Sequence, residues 1–223
     1  VIERDTRSVQ FVVQRLLLPC ELSILKTIAD PQFKVVQRYG DPIYELTQGD
    51  ADVVLVGEYL DKEQLEPLTR QHELDYAVLG WVPHCFTASS ASALSQVPAL
   101  TSSDLARHEL CVTTAPQNFE RWKESMERLT HLDLSAVPLN PLYAWDEGTL
   151  SMALADNTSV ALMPTRWIQQ RLNPEEIVCW DQLDGRTLAM PDILIWRNDA
   201  AHPDARKFAQ AFIAHREEQD DRP

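Results

Sequence analysis

One segment pattern occurs twice in this chain and constrains its fold more than any other feature. A polar, helix-like run leads into a short apolar strand and then a turn. The first copy runs from Asp41 to Asp52 and feeds Val53-Val54-Leu55-Val56-Gly57. The second runs from Asp146 to Asn157 and feeds Ser159-Val160-Ala161-Leu162-Met163-Pro164. An apolar run of four or five residues bounded by turn residues suits a strand covered on both faces, as in parallel sheets. Upstream of the first copy, Val9 to Gln14 reads as a strand. Pro19 opens a helix to about Ala29, and Phe33 to Arg38 forms a second strand. Asp41 is placed to cap the next helix, with Pro42 at its first position. The order β-α-β-α-β implies right-handed crossovers and a mostly parallel sheet. Two such units predict two similar α/β lobes with a cleft between them, a shape suited to small molecules.

The rest of the chain fits that plan. Tyr76–Trp81 and His84–Ala88 read as two strands, followed by a Ser/Ala/Pro-rich loop from Ser89 to Ser103. A short helix over Ser103–Ala106 leads to a strand at Leu110–Thr113, and an amphipathic helix spans Phe119–Leu129. Pro138–Trp145 holds a weak strand, and Asp146 starts the second signature helix. Trp167–Leu172 reads as a short helix and Ile177–Trp180 as a strand. Leu188–Arg197 is a strand interrupted by Pro191, so it is expected at an edge or crossing between lobes. A C-terminal helix covers Pro203–His215.

Charge excludes one class of partner for this segment. The 223 residues carry a formal net charge of −14, with no basic stripe to offset it, so the chain by itself repels phosphate backbones. No apolar run approaches membrane-spanning length. The first residues are charged and lack an apolar stretch, so they do not read as a signal peptide. The four cysteines, Cys20, Cys85, Cys111 and Cys179, are scattered without a CxxC pair. They read as reduced thiols, with Cys111 and Cys179 expected in core strands. Cys20, at a helix start, and Cys85, on a crossover strand, are where a redox role would be sought, but the sequence presents no close pair. The histidines show no metal spacing, and no G-x-S-x-G, P-loop or GxGxxG motif is present. Neither an active site, a metal nor a cofactor is expected.

Three stretches in order resemble the effector-binding domain of the LysR-type transcriptional regulators. They are Gln48-Gly49-Asp50-Ala51-Asp52-Val53-Val54-Leu55-Val56-Gly57, Leu100 to Leu110 with Ser103-Asp104-Leu105-Ala106 at its centre, and Ala153 to Pro164. The likeness covers about Ser8 to Glu217. Where that family has a Gly-x-Gly turn, this chain has Asp156-Asn157-Thr158-Ser159. Asn and Asp tolerate left-handed geometry, so the turn is expected to survive. The resemblance implies two Rossmann-like lobes joined by two crossover strands, the type 2 periplasmic-binding-protein fold. Lobe I would hold residues 8–87 and 189–223, and lobe II residues 88–188. The family's N-terminal winged helix-turn-helix has no counterpart in these residues.

By the same resemblance, a small-molecule effector would meet Arg15, Leu16 and Leu17 after the first strand, and Gly40 and Asp41 at the second helix start. It would also meet Thr87 on the crossover strand, Pro116, Asn118 and Phe119 after the strand ending at Thr113, and Trp145 and Pro164. Each has a plainer reading. Asp41 and Asp146 can serve as helix caps alone, Arg15 as half of a surface salt bridge, and Trp81, Trp145 and Trp167 as lobe packing. Both Arg15 and the acidic residues near the helix starts bear on the ligand's charge, and they point in opposite directions. The family assignment further implies a cytoplasmic regulator without membrane contact, acting as a homodimer or homotetramer. Its dimer surfaces would be the helices at Pro19–Ala29 and Phe119–Leu129, and it would act on promoter DNA through the missing domain, with RNA polymerase as a further partner. A periplasmic solute-binding protein, or an enzyme on the same scaffold, would share the topology.

Overall fold

The computed structural model describes residues 8–15, 17, 19–38, 40–57, 62–113, 119–142, 154–155, 157–166, 168, 172–199 and 202–220. The chain divides into two compact units: Val1–Gly80 with Asp192–Pro223, and Trp81–Pro191.

In the first unit, strand β1 (Val9–Val13) lies between β2 (Phe33–Gln37) and β3 (Val53–Gly57), parallel to both. Helices α1 (Pro19–Thr27) and α2 (Pro42–Gln48) make the crossovers, as the alternating pattern requires. The second half of β10 (Arg186–Arg197) pairs antiparallel to β3, with Asp192 opposite Gly57 and Trp196 opposite Val53. α3 (Lys62–Gln71) is a further helix, with Pro67 inside it. The core centres on Phe11, Phe208 and Phe212, all fully buried, with Ile24, Val53, Leu55 and Leu194 around them. The Phe11 and Phe208 rings are tilted at 5.0 Å between centroids, and Phe33 meets Phe208 at the same distance. Each fully buried aromatic or aliphatic side chain contributes roughly 1.5–3 kcal/mol. Phe208 and Phe212 come from α6 (Pro203–Asp220), so the C-terminal helix, longer than the pattern predicts, completes the core that β1 begins.

In the second unit, β5 (Glu109–Thr113) runs parallel to β6 (Leu139–Leu142) and β7 (Ser159–Pro164). The second half of β4 (Leu74–Ser89) is antiparallel to β7 and to β8 (Ile177–Trp180). β4 is one strand where the sequence pattern predicts two. Pro83 lies inside this strand, one residue before its ladder to β7 begins at His84 and three before its ladder to β8 begins at Phe86. Pro191 lies between the pairing of β10 with β9 (Gln182–Leu183) and its pairing with β3. The β9–β10 turn is Asp184-Gly185, both at positive φ (51° and 75°), the geometry that an Asp-Gly hairpin turn favours. α4 (Ser102–Leu105) carries a full capping box between Thr101 and Asp104. α5 (Phe119–Thr130) turns Trp122, Ser125 and Met126 inward. Asn157 adopts φ 60°, the left-handed turn expected where related chains use glycine. No described helix is long and apolar enough to cross a membrane.

Candidate functional site

In a parallel α/β sheet, the carboxyl ends of the strands and the helix N-termini beside them are where loops can offer polar groups to a ligand. In the first unit β1 and β2 run in register, Val13 opposite Gln37, so the residues just beyond them come together. Gln14 donates its side-chain amide to the Gly40 carbonyl at 3.0 Å, joining the two strand ends. Asp41 follows and caps α2: its Oδ1 accepts from the Ile43 and Tyr44 backbone N–H groups at 2.9 and 3.1 Å. Gly49 closes the same helix in the left-handed conformation (φ 76°), with its N–H directed to Glu45 and Leu46. A side chain at position 40 would collide with the Glu45 carboxylate, which Arg38 engages at 3.1 Å. Burial raises the Glu45 pKa, and Arg38 opposes that shift. Gln14 and Gly40 thus meet beside the capped start of α2, whereas Leu17 packs against the hydrophobic core.

Arg15 is the residue whose surroundings depart furthest from the surface salt bridge considered above. It is 7% exposed. Its Nε and Nη2 donate to the two oxygens of Asp192 at 2.9 and 2.6 Å. Nη1 and Nη2 donate to Glu21 at 2.8 and 2.6 Å. Arg216, from α6, donates to Glu21 at 2.6 Å and lies 3.8 Å from Asp192. Two guanidinium groups and two carboxylates therefore form a buried, charge-balanced quartet. Burial works against the Arg15 charge, but Asp192 and Glu21 more than offset it and hold the pKa above its ordinary value. The same burial raises the Asp192 carboxyl, with Arg15 opposing it. Because fork-shaped, multiply bonded guanidinium contacts are strong and directional, this quartet locks the end of β1, the first turn of α1, the β10 strand and α6 together. Glu21, read from sequence as a helix-start acid, has no exposure at all.

In the second unit, Phe119 stands at the start of α5 and stacks on Trp122, with centroids 6.1 Å apart and planes 12° from parallel. Pro164 ends β7, paired with His84. Pro164 is therefore the carboxyl-terminal residue of β7, and Phe119 is the first described residue after the carboxyl end of β5. Thr87 is fully buried. Its hydroxyl lies 3.6 Å from the Cys85 sulfur and 3.6 Å from the Cys179 sulfur. Leu16, Pro116, Asn118 and Trp145 lie outside the described residues, as do Trp167, most of the Trp167–Leu172 helix and the second signature helix from Asp146 through Ala153. Separately, a cavity of about 390 Å³ opens among Ser89, Leu154, Leu172, Asn173 and Glu176.

Two cysteine expectations are corrected. Cys179 is exposed rather than in the core, because β8 pairs with β4 off the main strand path. It is also close to Cys85, because the β4–β8 register places it opposite Thr87. Cys111 is buried, as its strand position predicts. Among the described residues, no group of three His, Cys, Asp or Glu side chains could hold a metal ion.

Residues 29–217 match the family described as the LysR substrate binding domain. Among solved structures, the regulatory domain of MetR from N. meningitidis is similar at 14% identity and a TM-score of 0.65, over 93% of each chain. A sulfate-bound variant of the OxyR2 regulatory domain from Vibrio vulnificus is similar at 16% identity and 0.65, over 95% of each. A full-length OxyR from Pseudomonas aeruginosa is similar at 11% identity and 0.66, over 96% of this chain and 71% of that one. No curated protein matches the chain in sequence. These structures share the fold, a mixed α/β arrangement of the type 2 periplasmic-binding-protein kind. With one family matched across most of the chain and the same fold in solved regulatory domains, this chain belongs to the LysR family, as a regulator's substrate- or effector-binding domain.

Proposed function

We propose that this domain senses a small-molecule effector and controls transcription through an N-terminal DNA-binding domain carried elsewhere in the full regulator. The effector would be held at the carboxyl ends of the strands in both units: by Gly40 and Asp41 in one, and by Pro116, Asn118, Phe119, Trp145 and Pro164 in the other. Residues 8–87 with 189–223 would act as one lobe and 88–188 as the other. The observation that supports this reading best is the joined rim at Gln14, Gly40 and Asp41, where a capped helix N-terminus stands at the end of a parallel strand. Arg15 and Thr87 support it less directly. Arg15 is committed to two carboxylates, and Thr87 lies between two thiols, so both would shape the site from behind it.

A ligand can shift a regulator only by its differential affinity for two states. The mechanism proposed is therefore effector binding that favours one arrangement of a cytoplasmic homodimer or homotetramer, changing its hold on promoter DNA and on RNA polymerase. The acidic surface of this segment fits a division of labour in which DNA contact belongs to another domain. A thermal-shift screen of small organic acids and neutral metabolites against the purified chain tests the reading. A hit should lose most of its stabilising effect in Phe119→Ala, while the ligand-free melting point stays unchanged. An unaltered response in that variant refutes the placement.

A further inference from the structure

We propose that Cys85 and Cys179 form a two-coordinate site for a soft monovalent cation of the Cu(I) class. The placement follows from strand register. Cys179 on β8 lies directly opposite Thr87 on β4. Cys85 precedes Thr87 by two residues and so projects from the same face of the sheet. The two thiols are diagonal neighbours across an antiparallel pair, and each sulfur lies 3.6 Å from the Thr87 hydroxyl between them. One thiol is buried and the other exposed, so a cation can arrive at Cys179 and be completed by Cys85.

Geometry favours a bridging atom over a direct bond. Diagonal partners on antiparallel strands have backbones roughly 7–8 Å apart, whereas disulfides need about 4.4–6.8 Å between Cα atoms. Closing a disulfide would require the strands to shift. A single cation between the sulfurs spans the gap without that movement, and thiolates are the ligands that select Cu(I). Binding is balanced as two thiols and one M⁺ giving an S–M–S unit of charge −1 and two released protons. No oxidant or reductant enters.

The test is anaerobic competition for Cu(I) between the purified chain and the chromogenic chelator bicinchoninate. The parent and the Cys20→Ser/Cys111→Ser double variant should each withdraw one equivalent. Cys85→Ser and Cys179→Ser should bind at least tenfold more weakly. Cys85→Ala, which keeps a small apolar group at the buried position, guards against misfolding and should lose binding equally. X-ray absorption at the copper edge of the loaded parent chain, which needs no variant, should report two sulfur neighbours. Full retention of affinity in both Cys85 variants would overturn the proposal. So would a nitrogen- or oxygen-rich copper shell, or closure of a Cys85–Cys179 disulfide by dissolved oxygen in preference to copper uptake.

Discussion

Replacing Arg15 with methionine should be among the most destabilising single changes available in the first unit. The side chain supplies four hydrogen bonds of 2.6–2.9 Å to Glu21 and Asp192. Both carboxylates have no exposed side-chain surface, so water cannot replace what is lost. Arg216 remains, but it holds Glu21 at 2.6 Å and reaches Asp192 only at 3.8 Å. Asp192 would become a buried carboxylate with little compensation. Breaking a buried ion pair by removing one partner costs about 3–5 kcal/mol, whereas replacing the pair with apolar groups is often neutral. The expected cost of Arg15→Met is therefore about 3–5 kcal/mol. Adding Asp192→Leu should recover much of that loss, because Glu21 and Arg216 are left as a matched pair. Urea unfolding of parent, both single variants and the double variant closes the thermodynamic cycle. A cost under about 1 kcal/mol for Arg15→Met, or strictly additive losses in the cycle, would show that the quartet contributes no coupled stability.

Other expectations follow from particular residues. Phe208→Ala removes a ring packed on Phe11, Phe33 and Phe212 and should lower stability by about 3–5 kcal/mol in the same assay; a loss near zero would contradict the core described above. Gly49→Ala places a side chain at φ 76° and should cost on the order of 1 kcal/mol by urea unfolding, whereas Asn157→Gly, at φ 60°, should be neutral or slightly stabilising. The Asp104 carboxyl is held below its ordinary pKa, chiefly by the Thr101 hydroxyl. Its contribution to the cap is therefore complete above the unfolded carboxylate range and lost as pH falls through the lower folded value. The Thr101 amide signal in NMR should shift in that acid window and lose the shift in Asp104→Asn.

Local chemistry decided most of the architecture. Asp41 before Pro42 and Gly49 after Gln48 mark both ends of α2, and each adopts the geometry its residue type favours. The alternation of apolar strands with capped helices favours parallel pairing of β1, β2 and β3, because a helix running back along the sheet returns the chain to the end where the previous strand began. Asn157 could replace a glycine because its side chain tolerates left-handed backbone. These are interactions within a few residues, so the order of residues carries them. Pro83 and Pro191 were less legible, since whether a proline breaks a strand depends on whether a neighbour needs its N–H.

Only the tertiary structure decided what the charged and sulfur-bearing residues do. Arg15 meets Asp192 across 177 positions of sequence, and Arg216 meets Glu21 across 195. Nothing near Arg15 in the chain announces whether it will face solvent, a ligand or a buried acid. Cys85 and Cys179 became neighbours through the β4–β8 register, and a slip of one residue would have sent Cys179 to the other face. Helix ends and turns are fixed by forces acting over a few bonds. Charge burial and thiol proximity are fixed by which distant strands align, and that is settled only when the whole core packs.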